Sequence, residues 1–249
     1  MSADFLILGE GYTGSHLKKR LVEMYPQADI QVTHRRNSTI SFELENEGTW
    51  QNLPTAKNIF WLFAAKDKKL SQKLFRESFK NSRVIVVSTT SHFLIPDGSE
   101  VTEDSPIDTT LPRAEAEEIL REEGASILHA AGIYGVNRNP LDWFKNGKIL
   151  DLNKYLNLTH VEDLSEAIIL SAEKAKPGER LISADGQALL WSEIIRRWID
   201  PKLQDSTEPR KGKRVNPRAS LRTLGLTLKY KNAHEGIQAI QTGARLKSE

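Results

Sequence analysis

The sequence predicts an α/β protein: a doubly wound parallel sheet with a small C-terminal lobe. Two observations carry this. Short apolar runs alternate with helix-period segments from one end of the 249-residue chain to the other, and the first run leads directly into a Gly-x-Gly-x-x-Gly turn. Strands separated by helices imply a parallel sheet covered on both faces, and right-handed crossovers wind it in both directions. The sheet core is expected within residues 1–175, and the lobe within 176–249, partly interleaved with the core.

Phe5–Leu8 is the first strand. A helix follows with Leu17, Leu21 and Met24 on one stripe. Ile30–Val32 is a second strand, and Asn58–Ala65 reads as a buried third. Leu70, Leu74, Phe75 and Phe79 share a helix face. Arg83–Ser88 is β-branched and bounded, a strand signal. Pro112 starts a helix that Gly124 stops. Ser126–Ala131 is a strand, and Pro140 to Gly147 frames a short helix. Thr159-His160-Val161-Glu162 has the spacing of a capping box and opens a helix through Leu164, Ala167 and Ile168. Arg180–Ser183 is a strand. Trp191, Ile194, Ile195, Trp198 and Ile199 then form an amphipathic helix. Residues 201–214 read as a polar, basic loop, and Asn216 to Gly225 frames one more short helix.

Composition narrows the function classes. Cysteine is absent, so disulfides, thiolate nucleophiles and cysteine metal sites are excluded. A formal net charge of +2 gives no general drive toward nucleic acid or membrane. No apolar run reaches the ~18 residues of a membrane span, and the N-terminus lacks the features of a signal peptide. A cytoplasmic monomer or homodimer with a small-molecule substrate is expected. The basic stretch Arg210-Lys211-Gly212-Lys213-Arg214 carries no interleaved aromatics of the kind that stack on bases, so it reads as a solvated loop or one facing an anionic substrate. No His/Asp/Glu set has metal-ligand spacing.

The glycine turn has the context its chemistry requires: a strand before it and a helix after it. Gly9 permits the tight turn, Gly11 lets a pyrophosphate approach the backbone, and Gly14 lets the helix pack on the strand. Tyr12 and Thr13 lie between them, at the positive end of the helix dipole, where an anion is favoured. The end of the second strand reads Thr33-His34-Arg35-Arg36-Asn37, without an acid for a ribose 2′-hydroxyl. Arg35 stands about 20 positions past Gly14, where a guanidinium fork suits a 2′-phosphate. With Arg36 it favours NADP over NAD.

Taken in order, these motifs resemble the atypical and extended short-chain dehydrogenases/reductases, the NAD-dependent epimerase/dehydratase group, over nearly the whole chain. Gly9–Gly14 resembles the atypical opening turn, and Ala64-Ala65 the small residues beneath the adenosine–ribose bridge. Val86–Ser91 resembles the strand that delivers the catalytic hydroxyl, and Glu103-Asp104-Ser105-Pro106 the acidic loop. Gly132-Ile133-Tyr134-Gly135 and His160-Val161-Glu162-Asp163-Leu164 are similar to later family segments, and Lys213–Asn216 with Leu224-Gly225 to the family's C-terminal end. The resemblance implies a Rossmann fold with a nicotinamide cofactor, Ser88 touching it, and an oxidoreductase or epimerase/dehydratase-like activity on a small carbonyl or sugar-nucleotide-type substrate.

The chain departs from the pattern at the chemistry. The family's Tyr and Lys, four residues apart after the acidic loop, fall on Arg113 and Glu117. A guanidinium does not release a proton at useful pH. No Tyr stands between Tyr25 and Tyr134 that a shifted register could supply. Arg113 and Glu117, at i,i+4, are expected to form a helix-surface ion pair. The remaining catalytic candidates are Thr89 for a substrate carbonyl, with His92 and Tyr134 for proton transfer; Ser91 and Lys66 lie nearby in sequence. His160 is expected to order the capping turn. The lost Tyr/Lys pair also admits a non-catalytic NADP(H) sensor or scaffold.

Overall fold

A computed structural model describes residues 2–34 and 40–245 of the chain. The cofactor candidates Arg35 and Arg36 lie outside the described residues. In chain order the elements are β1 (Ala3–Leu8), α1 (Tyr12–Met24), β2 (Ile30–His34), β3 (Ile40–Ser41), β4 (Ala56–Trp61), α2 (Lys68–Leu74) and β5 (Arg83–Thr89). There follow β6 (Glu100–Val101), α3 (Pro112–Glu122), β7 (Ser126–Ala130), β8 (Gly132–Tyr134), α4 (Pro140–Lys145), β9 (Tyr155–Leu156), β10 (Leu158–His160) and α5 (Val161–Lys174). The chain closes with β11 (Arg180–Ser183), β12 (Leu189–Leu190), α6 (Trp191–Trp198), β13 (Arg214–Val215), α7 (Arg218–Leu224) and α8 (Ala233–Arg245).

Seven strands form one sheet in the order β11-β7-β5-β4-β1-β2-β3, every pair parallel. From β1 the chain winds outward through β2 and β3, then returns to β4 on the other side. The order therefore reverses at β1, and beyond the carboxyl ends of the strands at such a point doubly wound sheets leave a crevice for a ligand. Alternation along each strand sorts the side chains by face. Leu6, Leu8, Ile59, Trp61, Val84 and Val86 pack with Leu74, Phe75, Phe79 and Leu120 on the α2/α3 side. Phe5, Ile7, Phe60, Ile85 and Val87 pack with Leu17, Leu21, Leu164 and Ile168 on the α1/α5 side. This is the near-continuous apolar strand expected when both faces are buried.

The lobe has its own apolar cluster, in which Leu141, Leu156, Leu158, Leu189, Trp191 and Ile194 meet Ile237 and Ile240 of α8. A smaller cluster of Phe93, Val101, Ile182 and Val215 joins it to the sheet. The lobe boundary expected at 175 precedes the edge strand β11, which pairs with β7, so the chain re-enters the sheet after it.

Two local expectations are corrected, and a third, the basic stretch, gains detail. The strand expected over Asn58–Ala65 ends at Trp61, level with Leu8, the last residue of β1, although β5 on its other side runs on to Thr89. The cap of α5 is His160, whose Nδ1 accepts the Glu162 N–H at 3.3 Å. Thr159 instead lies within β10 because pairing with β8 holds it extended, and its hydroxyl meets Ser183 at 2.9 Å. His160 thus orders the turn, as expected. The basic stretch is a strap. Gly98 N–H donates to Gly212 O at 2.7 Å and Tyr155 N–H to Lys211 O at 2.9 Å, while β13 pairs with β6. Lys211 pairs with Asp151 at 3.0 Å, and Lys213 Nζ donates to Phe93 O at 2.7 Å. No described helix is long and apolar enough to cross a membrane.

Ile168 is fully buried against the sheet, whereas Leu150 is 95% exposed. Ile168→Ala should cost about 2–5 kcal/mol, and Leu150→Ala should stay within ~0.5 kcal/mol. Urea unfolding of the two variants checks the assignment of the core.

Candidate dinucleotide and proton-transfer site

The glycine turn sits at the sheet's reversal point. Gly9 has φ +108°, a conformation that side chains rarely adopt. A Cβ on Gly14 would lie 2.2 Å from the Gly9 carbonyl oxygen, so only glycine lets α1 seat this closely on the end of β1. A Cβ on Gly11 would meet nothing within 4 Å: the backbone there faces open space. Gly11 is the N-cap of α1 and makes no side-chain cap hydrogen bond, and the first turn holds no acid. Tyr12 and Thr13 open the helix, where N–H groups lack intrahelical partners. Open backbone, free donors and the positive end of the dipole together fit a pyrophosphate.

Three neighbours fix this turn. The buried Thr33 accepts Gly9 N–H on its hydroxyl at 3.2 Å and Glu10 N–H on its carbonyl at 3.1 Å. The stretch after β4 flanks it: Phe63 lies 4.0 Å from a Gly9 Cβ and Leu62 3.5 Å from a Gly14 Cβ. In the same stretch Ala65 is buried, Ala64 half-buried and Lys66 exposed. Tyr12 Oη donates to Val136 O at 3.0 Å, and the Arg138 guanidinium lies over the Tyr12 ring at 5.6 Å. The turn is thereby tied to the loop after β8.

At the end of β5 the pleat sends neighbours to opposite sides. Thr89 Oγ1 stands 2.9 Å from Ser91 Oγ on the accessible side. Ser88 is buried, and its hydroxyl donates to Glu117 Oε2 at 2.5 Å. The hydroxyl of Ser88, a residue expected at the cofactor, is turned inward to Glu117. His92 is also buried, with Nδ1 3.3 Å from Ser88 Oγ and 3.3 Å from Glu117 Oε2. Arg113 Nε donates to Glu117 Oε1 at 2.6 Å, and its Nη2 donates to Val87 O at 2.9 Å. The expected surface ion pair is therefore an interior network, with the Glu117 side chain only 2% exposed. Burial alone would raise the Glu117 pKa. The His92 hydrogen bond, the Arg113 charge and the Ser88 hydroxyl outweigh it, and the carboxyl sits below its ordinary value. Loss of one partner would leave a buried charge uncompensated.

The adjacent strand adds His129, beside Ser88 in register. Its Nδ1 lies 3.2 Å from Thr89 O, its ring packs on Phe93 at 4.7 Å, and its Nε2 is buried without a partner. Burial pushes its pKa down to about 4, so it is neutral at pH 7.

Tyr134 is placed elsewhere. It is fully buried in the lobe cluster, its hydroxyl has no hydrogen-bond partner, and a Cβ on Gly236 of α8 would overlap it at 1.9 Å. Burial, then the nearby Asp185, hold its pKa well above the usual value. The proton-transfer role expected of Tyr134 is corrected to packing. Sequence spacing revealed Arg113 and Glu117 as a pair but not the burial of Glu117. The contributions of Thr33, His129 and Arg138 arise from strands and loops distant in sequence, and the motif carried no signal for them.

No family model and no curated protein matches the sequence. Solved structures do match in fold. A Methylobacillus flagellatus protein assigned as an NAD-dependent epimerase/dehydratase superposes with TM-score 0.77 at 21% identity, covering 98% of this chain and 100% of that one. The dTDP-glucose 4,6-dehydratase of Bacillus anthracis, in complex with NAD, gives 0.76 at 13% identity, with 98% of each chain covered. A human epimerase family protein with NADPH gives 0.69 at 12% identity, covering 96% and 99%. The chain has the Rossmann fold of these epimerase and dehydratase structures.

His129 and His160 both titrate near pH 4 when folded, chiefly through burial, against an ordinary 6.5. Between those values the unfolded chain binds protons that the folded chain refuses. Stability should therefore fall as pH drops from 6.5 to 4, by up to ~3 kcal/mol per group. His129→Leu should flatten that slope, as read by urea midpoints across the range.

Proposed function

We propose that the chain is an NADP-binding oxidoreductase or epimerase/dehydratase-like protein acting on a small carbonyl or sugar-nucleotide-type substrate. The observation that carries this is the opening over Gly11, a cradle that any side chain would begin to fill. The backbone of Gly9, Gly11 and Gly14, with the N–H groups of Tyr12 and Thr13, would hold the pyrophosphate. Ala64 and Ala65 would flank the adenosine ribose. Arg35 and Arg36 support NADP on sequence grounds, because their guanidinium forks suit a 2′-phosphate. The nicotinamide ring would accept or supply a hydride when bound.

Thr89 and Ser91 offer hydroxyls to a substrate oxygen, and His92 is the proton-transfer group. The fold neighbours that hold NAD or NADPH support a nicotinamide cofactor. A second reading, an NADP(H) sensor or scaffold without turnover, is favoured by one observation: an interior Arg113–Glu117 pair stands where the resemblance calls for Tyr and Lys.

Titration with NADP, NADPH, NAD and NADH tests the proposal. NADP(H) should bind more tightly than NAD(H). Tighter NAD overturns the cofactor assignment, and no binding overturns the reading. Incubating the NADPH complex with a carbonyl panel separates the enzyme from the sensor. Gly11→Val should keep the fold to within ~1 kcal/mol, since its extended backbone (φ −87°) accepts a side chain. It should nevertheless lose at least about tenfold in NADPH affinity, ~1.4 kcal/mol.

A further inference from the structure

We propose that Glu117 is a positioning residue that holds His92 with its proton on Nδ1 and presents Nε2 as the proton acceptor of this site. The inference rests on the reading above, in which His92 lies near the nicotinamide, and extends it to a residue on a different element.

The argument is one of donors and acceptors. Ser88 Oγ, His92 Nδ1 and Glu117 Oε2 stand mutually within 3.3 Å. The single hydroxyl proton of Ser88 is directed to Glu117 at 2.5 Å. Ser88 therefore turns oxygen lone pairs toward His92, and Glu117, ionised, has only lone pairs to offer. A nitrogen facing two acceptors must be the donor. In neutral His92 the proton is thus on Nδ1, which leaves Nε2 with the lone pair. The carboxylate cannot swing away, because its other oxygen takes Arg113 Nε at 2.6 Å and Arg113 is itself anchored on Val87 O at 2.9 Å.

The other ionisable group packed on this cluster, His129, is neutral and occupied with Thr89 O, so it does not compete for the same proton. The backbone holds the ring in place as well. His92 ends the short turn Thr90–His92 that follows β5, and its carbonyl accepts Asp108 N–H at 2.8 Å. A carboxylate that fixes one imidazole nitrogen so that the other handles the proton is the arrangement that orients a general base. Here it is built from the two helix positions, Arg113 and Glu117, that lack the expected Tyr and Lys.

The test is nitrogen NMR on the full chain labelled at histidine, with the His92 signals identified by their loss in His92→Gln. Two-bond proton–nitrogen correlations read the tautomer directly. The wild type should show Nδ1–H at His92. In Glu117→Gln, Arg113 claims the amide oxygen and the NH2 group turns toward His92, so the tautomer should invert to Nε2–H. Saturating NADPH should shift the His92 ring signals in the wild type.

A wild-type Nε2–H tautomer overturns the proposal, as does an unchanged tautomer in Glu117→Gln. His92 signals indifferent to bound NADPH overturn its place in the site. If Glu117→Gln does not fold, Ser88→Ala decides: it leaves the carboxylate in place and should keep Nδ1–H, and inversion there would assign the effect to Ser88. Absence of NADPH binding in the separate titration would instead fail the dinucleotide reading and leave the tautomer result standing on its own.

Discussion

The distance between α1 and the end of β1 governs the whole carboxyl edge. With glycine at position 14, the helix settles onto the Gly9 carbonyl, where a Cβ would stand 2.2 Å away. That seating aims the first N–H groups of α1 at the crevice. It also brings Tyr12 under the loop after β8, where its hydroxyl reaches Val136. A helix displaced outward by even a methyl group would lose both. The strand order makes this contact matter, since the reversal at β1 is where a doubly wound sheet leaves room for a ligand.

A second constraint lies beneath the end of β5. Burying a carboxylate is costly unless each oxygen finds a partner. Glu117 has one: its two oxygens take Arg113, Ser88 and His92 between them. The price of that network is that Ser88 is removed from the surface, and Thr89 and Ser91 become the accessible hydroxyls. Inward and outward roles at this edge follow from pleat alternation.

Much of the fold could be read from periodicity. The strands from Phe5, Arg83, Ser126 and Arg180 announce themselves as apolar runs because they are covered on both faces, and Gly124 and Gly225 mark helix ends by their positive φ. What could not be read depends on neighbours in space. The run from Asn58 to Ala65 looks continuous, yet β4 stops where β1 stops. Thr159 has the spacing of a cap and is a strand residue, because β8 pairs with it. In the site, the glycine spacing revealed the turn. The i,i+4 spacing of Arg113 and Glu117 cannot distinguish a solvated ion pair from a buried one, since burial is set by β5 and β7. Tyr134 follows a strand like a functional residue, but α8 covers it.

The strap from Arg210 to Arg214 bears on how the lobe can move. It is bonded to the segment after β5 through Gly98 and β6, and to the stretch before β10 through Tyr155 and Asp151. A body attached to its base at two points distant in the chain has no single pivot. Ties at these two points work against opening like a jaw on one hinge. Any opening of the crevice would therefore call for small, local changes at its rim rather than the swing of a domain.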